Sequence, residues 1–290
     1  MGENFVKLSN NFVGLNHGEL LERYVVFVWK DCKDLYERLV ARRRIYPGNL
    51  EFAVKFIVKN REKILGTKNL VLDLLEGCLR KVCSLFEVTG LDVRVFLFVG
   101  TLNADGFTDT YKGEETLFIG YKLASLHYPR LVEVFLCHEL THFVHGKILS
   151  ELLGLSWDKL FDDVLDWWFT AALIWEGLAT FASKTLVPRF SDREYLACYL
   201  PSCGDYRWFE ESRELLLKRA TKLLDVRDFN VYREYFMGGG HPKDISSPRT
   251  GYYVGYLVIE KLVRRLGFSK LVRLHPSEWK KLIANILMQR

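Results

Sequence analysis

The stretch Pro129 to His145 sets the hardest condition on how this chain can fold. PRLVEVFLCHELTHFVH is apolar enough to be buried as a helix, yet it carries His138, Glu139 and His142 in its middle. Polar groups removed from water need partners, which here are either one ion shared by the two histidines or, in a partly buried helix, backbone groups and carboxylates. At 3.6 residues per turn, histidines four apart lie one above the other on one helical face, where both rings can converge on a single ion. The pattern is H-E-x-x-H, and its chemistry calls for a helix. The expected helix opens at Pro129, a favourable first-turn residue, and stops at Gly146.

Around this segment the periodicity is mostly helical. Glu19 to Arg43 places Leu21, Val25, Val28, Cys32, Leu35 and Leu39 on one stripe. Leu50 to Leu65 and Leu70 to Val88 repeat the pattern and are expected to close at Gly66 and Gly90. Val93 to Val99 and Thr116 to Ala124 read as strands, either a hairpin or two neighbours in a small sheet, with a turn at Asn103 to Gly106. Helices are predicted again over Trp157 to Leu186, as one or two, over Tyr206 to Leu224, over Tyr252 to Leu266 with Gly267 after it, and from Pro276 onward. Gly238 to Pro248 is the clearest loop. The expected fold class is α+β: a mostly helical chain with a small sheet whose edge strand precedes the H-E-x-x-H helix. Its expected division is a helical region over 1–90 and a catalytic region over 91–290, the two forming one continuous unit.

Composition narrows the function. With 41 Lys and Arg against 36 Asp and Glu, the net charge is only +5, which does not call for a nucleic-acid partner. The longest clean apolar runs, Val93 to Gly100 and Trp167 to Trp175, fall well short of the roughly 18–20 residues that span a bilayer. The opening MGENFVKLSNNF lacks the basic start and apolar follow-on of a secretory signal, so a cytoplasmic protein is expected. None of the six cysteines stands in a C-x-x-C pair, which suits reduced thiols.

A catalytic zinc takes three protein ligands and keeps a fourth position open. His145 does not extend the motif, because the long H-E-x-x-H-x-x-G-x-x-H pattern needs Gly at 145 and His at 148, where this chain has His and Ile. The stronger third ligand is Glu176, an isolated acid in the apolar stretch WEGLATF, although a helix-end pairing with Lys184 or an Arg is the plain alternative. Gly177, unusual inside a helix, implies a close backbone approach. Zinc lowers the pKa of a bound water toward ~7, and Glu139 lies near enough to take its proton. Gly251/Gly255 and Tyr252/Tyr256 repeat at four residues, so each pair shares a helix face. Tyr252, Tyr256 or His241 could donate a hydrogen bond to a developing oxyanion, with Tyr252 preferred of the tyrosines because it lies nearer the loop. Asp162, Asp163 and Asp166 are candidates to orient a histidine.

HELTH at 138–142, EGLATF at 176–181 and PRTGYYVGY at 248–256 occur in the order shown by a family of predicted zinc-dependent proteases known as a domain of unknown function, which the chain resembles from about Val93 to Gly267. That family looks like the gluzincins, which implies a zincin-like metallopeptidase fold for 91–290. The resemblance implies His138, His142 and Glu176 as zinc ligands, Glu139 as general base, a peptide or protein substrate, and an extended peptide laid along an edge strand. One departure is the 33 residues between His142 and Glu176, against about twenty in thermolysin-type enzymes; this insertion has to loop out or form its own helix. The competing expectation is a non-catalytic binding or regulatory protein that keeps a metal site on the same scaffold.

Overall fold

The computed structural model describes residues 37, 50–98, 106–120, 129–196, 206–237 and 250–288. The helix expected at Glu19 to Arg43 (apart from Glu37), the turn residues 103–105 and His241 lie outside the described residues. The fold is α+β, mostly helical with a three-stranded sheet. Two compact units share the chain, one made of residues up to Asp73 with Val93–Val132, the other of Leu74–Asp92 with Glu133 onward. Among the described residues no helix is long and apolar enough to cross a membrane.

The first unit contains the sheet, in the order β1 (Arg94–Phe98), β3 (Glu114–Gly120), β2 (Gly106–Tyr111). β1 runs parallel to β3, with Phe96 opposite Phe118, while β2 is antiparallel to it, with Phe107 opposite Phe118. The hairpin therefore joins β2 to β3, through Lys112 and Gly113, whose φ of +52° and +78° give the left-handed turn that matches strand twist. Two expectations are corrected here. The strand that precedes the H-E-x-x-H helix is the central strand of the described sheet, not its edge. The missed strand, GFTDTY, is too polar and glycine-led to read as one, and its pairing to β3 overrides that local signal. Phe107 stacks on Phe118 at 4.7 Å, and Phe96 leans on the same ring at 5.4 Å.

Helix α1 (Leu50–Phe86) passes straight through Gly66; its kink lies at Asn60, where φ is −120°. It ends a few residues before the expected Gly90. Glu87 adopts the left-handed conformation, φ +55°, and Val88 N–H returns to the Cys83 carbonyl. The last part of α1, from Leu74, belongs to the second unit.

The core of the second unit is helical. Helix α2 (Val132–Leu153), entered through the turn Pro129–Leu131, is buried on nearly all sides from Leu136 to Gly146, as its apolar sequence dictates. It does not stop at Gly146. A side chain there would stand 2.5 Å from the Trp157 indole, so this glycine admits a ring, and the left-handed exit comes at Gly154, φ +62°. Short helical turns at Trp157–Lys159 and Leu160–Val164 then lead to α3 (Phe169–Leu186). The start of α3 is pinned to the end of α4 (Arg213–Leu223): Trp168 Nε1 and Thr170 Oγ1 both donate to the Leu224 carbonyl, at 2.8 and 2.7 Å. Helix α5 (Thr250–Leu266), followed by Gly267 at φ +79°, and α6 (Pro276–Met288) match their expected positions.

Helices α3 and α5 meet backbone to backbone. A Cβ on Gly177 would lie 2.4 Å from the Gly255 carbonyl carbon, and one on Gly255 would lie 2.7 Å from the Leu173 carbonyl oxygen. Gly251 serves a different contact, since a side chain there would stand 2.3 Å from the Phe236 ring. The close backbone approach read from Gly177 is what the fold contains, with Gly255 as its partner.

Candidate metal centre

His138, His142 and Glu176 form a group able to hold a metal ion. The i, i+4 spacing on α2 brings the two imidazoles together edge to face, 87° between planes, with their Nε2 atoms 3.1 Å apart. α3 brings the Glu176 carboxylate to them, with Oε2 at 3.3 Å from each Nε2. All three residues belong to the second unit. The 33-residue insertion leaves Glu176 in place because it folds as the rest of α2, two short helical turns and the start of α3.

The donor atoms fit a cation. They lie at the corners of a nearly equilateral triangle, where protons can satisfy at most two edges and the third always sets two donors or two acceptors face to face. One ion satisfies all three at once. Ligands at ~2.0–2.1 Å in a tetrahedral zinc site are about 3.3–3.4 Å from one another, close to the 3.1–3.3 Å found here. Glu176 is 6% exposed, and its polar partners are the two histidines; Lys184, the alternative partner, is turned to Asp192 and Tyr256 instead. Burial alone would push the Glu176 carboxyl up. Attraction to His142 and hydrogen bonds to both imidazoles outweigh it and hold the carboxyl well below the usual carboxylate range.

Glu139 is buried beside His138 on the same helix. Tyr252 lays its ring against His138, at 5.9 Å and 22° between planes, and Phe236 packs on the Tyr252 ring at 5.9 Å. Tyr256 is placed otherwise: its hydroxyl accepts from Lys184 at 2.9 Å and donates to Glu260 at 3.1 Å. Of the two tyrosines, only Tyr252 is in ring contact with a member of the His–His–Glu group. Asp162, Asp163 and Asp166 are exposed and so are poorly suited to orient a buried ring.

Sequence reasoning missed Trp175. Its indole stacks on the His142 imidazole at 4.9 Å and 12°, and it also contacts His145 at 5.6 Å. Its place beside Glu176 is the one available signal, but nothing in the spacing from His142 could reveal the stack. His145 is buried among Phe86, Trp175 and Trp279 rather than joining the group. Burial, together with the neighbouring His142, pushes its pKa down to about 3. A scan against protein-family models and searches of curated proteins and of solved structures gave no match to this chain.

Proposed function

We propose that this chain is a zinc-dependent peptidase that cleaves a peptide or protein substrate by water attack, without a covalent intermediate. The observation that carries the reading is the convergence of His138 Nε2, His142 Nε2 and Glu176 Oε2 within 3.1–3.3 Å, with Glu139 next to the first of them on the same helix. The order of the three segments that resemble the zinc-protease family supports it too. Among the described residues the group supplies three protein donors, which suits a catalytic rather than a fully protein-ligated zinc.

Bound zinc would supply a Lewis acid and a water acidified toward ~7. The Glu139 carboxylate takes a proton from the attacking water and passes it to the leaving amine nitrogen. The Tyr252 hydroxyl, carried on a ring that rests against His138, is assigned as donor to the substrate carbonyl oxygen as it gains charge. A cytoplasmic setting agrees with the free thiols of Cys78, Cys83 and Cys137.

Elemental analysis of the purified chain tests the reading, with about one zinc per chain expected. Peptide cleavage should stop on adding a chelator and return with zinc. His142→Ala and Glu176→Gln should lose metal and cleavage together. A folded wild-type chain that holds no stoichiometric metal would overturn the proposal, and a metal held without cleavage would favour the binding or regulatory alternative.

A further inference from the structure

We propose that Trp175 is the positioning residue for His142, orienting its imidazole toward the metal by stacking rather than by a hydrogen bond. The inference rests on the metal-centre reading above. A ligating histidine is ordinarily fixed by a hydrogen bond from its other ring nitrogen to a carboxylate, a carbonyl or water. In His142 that nitrogen, Nδ1, is buried and has no hydrogen-bond partner among the described residues. The ring could therefore turn about its Cβ–Cγ bond and carry Nε2 away from His138 and Glu176 unless something opposes the rotation.

The Trp175 indole does so. The two rings lie nearly parallel, 12° apart, with centroids at 4.9 Å. Rotation of the imidazole would break that overlap, which aromatic pairs favour beyond the area they bury. The indole is held in turn: Phe161 meets it edge-on at 5.6 Å and 83°, and His145 leans on it at 5.6 Å and 33°. Trp175 also immediately precedes Glu176, so a single turn of α3 presents the third ligand and the clamp on the second. One helical segment thus fixes two of the three donors. Their relative placement depends on the α2–α3 packing and not on a separate hydrogen-bonded partner.

Cobalt(II) is the probe, titrated into the full chain with a competing chelator and followed by visible absorption, which reports both affinity and coordination geometry. Trp175→Leu and Trp175→Met, two ringless variants, should bind cobalt about 10–100-fold more weakly, the range found when an orienting partner is removed, and with an altered spectrum. Trp175→Phe keeps a ring and should restore the spectrum and most of the affinity. Phe161→Leu, which removes the edge-on support and leaves the indole itself unchanged, should weaken binding by less than about 10-fold, below the direct loss. Wild-type affinity and spectrum in the ringless variants would overturn this inference while leaving the metal centre intact. Failure of the folded wild-type chain to bind cobalt or zinc would bring down the metal-centre reading, and this inference with it.

Discussion

Around Glu176 and Tyr252, helices α3 and α5 carry rings and a carboxylate whose polar partners are two imidazoles; around Lys184 and Tyr256, the same helices meet through an ammonium, a phenol and carboxylates. Burial disfavours the Lys184 charge, yet its hydrogen bonds to Asp192 and Tyr256 outweigh this and raise its pKa, so that contact is already neutralised. At the other end, no Lys or Arg among the described residues is paired to Glu176. The sequence repeats at four residues across both ends, Tyr252 to Tyr256, but the crossing at Gly177 and Gly255 lies between them and assigns each tyrosine different neighbours. A repeated residue type is therefore not a repeated role, and the end whose acid is paired only to imidazoles is the one suited to receive a cation.

The largest loss is expected at Glu139. Glu139→Gln should retain the metal by elemental analysis and lose peptidase turnover by about 10²–10⁴-fold, the share ordinarily contributed by a general base. Retained cleavage in that variant would remove Glu139 from its assigned role. The tyrosines give the next test. Tyr252→Phe should lower kcat by about 10²-fold with the metal still bound, whereas Tyr256→Phe should leave kcat unchanged and cost about 1 kcal/mol in denaturant unfolding for its lost hydrogen bonds. Equal kinetic effects from the two variants would erase the distinction between the ends.

The crossing itself is open to test. Gly255→Ala forces a methyl to 2.7 Å from the Leu173 carbonyl, and the two backbones must separate. Overpacking of this kind should destabilise by about 1–3 kcal/mol, seen as a lower denaturant midpoint, with metal affinity falling as Glu176 is drawn from the histidines. A stable variant with unchanged affinity would show that the glycine contact does not set the position of the site.

A remaining test is in pH. The folded pKa of His145 is pushed down to about 3, below the unfolded value of about 6.5, so the unfolded chain binds one more proton between these limits. The metal-free protein should therefore lose stability as pH falls from about 6.5 to about 3, at up to about 1.4 kcal/mol per pH unit from this group. His145→Phe, which keeps a ring against Trp175, should flatten that limb. An unchanged slope in His145→Phe would assign the acid sensitivity elsewhere.

Much of the site is legible in the sequence. HELTH, placed inside a helical and apolar run, requires two imidazoles on one face, because helical geometry is local. The isolated acid at Glu176 marks itself by its expense in an apolar stretch. The sheet is less legible, because GFTDTY carries little strand propensity and acquires its conformation from pairing with β3. Gly66 and Gly146 resemble helix stops for a related reason. A glycine in sequence does not say which role it has: Gly66 sits inside α1 with open space where a side chain would be, and at Gly146 the space holds the Trp157 ring, which lies beyond the end of α2 and returns to it only on folding.

Local sequence alone fixes the helical run, the spacing of His138 and His142 on one face, and the isolation of Glu176 in an apolar stretch, since each depends on residues a few positions apart. Only the tertiary structure decided that Glu176 crosses 33 intervening residues to lie 3.3 Å from both imidazoles, that Tyr252 rather than Tyr256 rests against His138, and that Trp175 stacks on His142. Those are set by how closely helices approach and which faces they turn to each other. Side-chain volume and backbone contact between distant segments fix that, and no local periodicity encodes it.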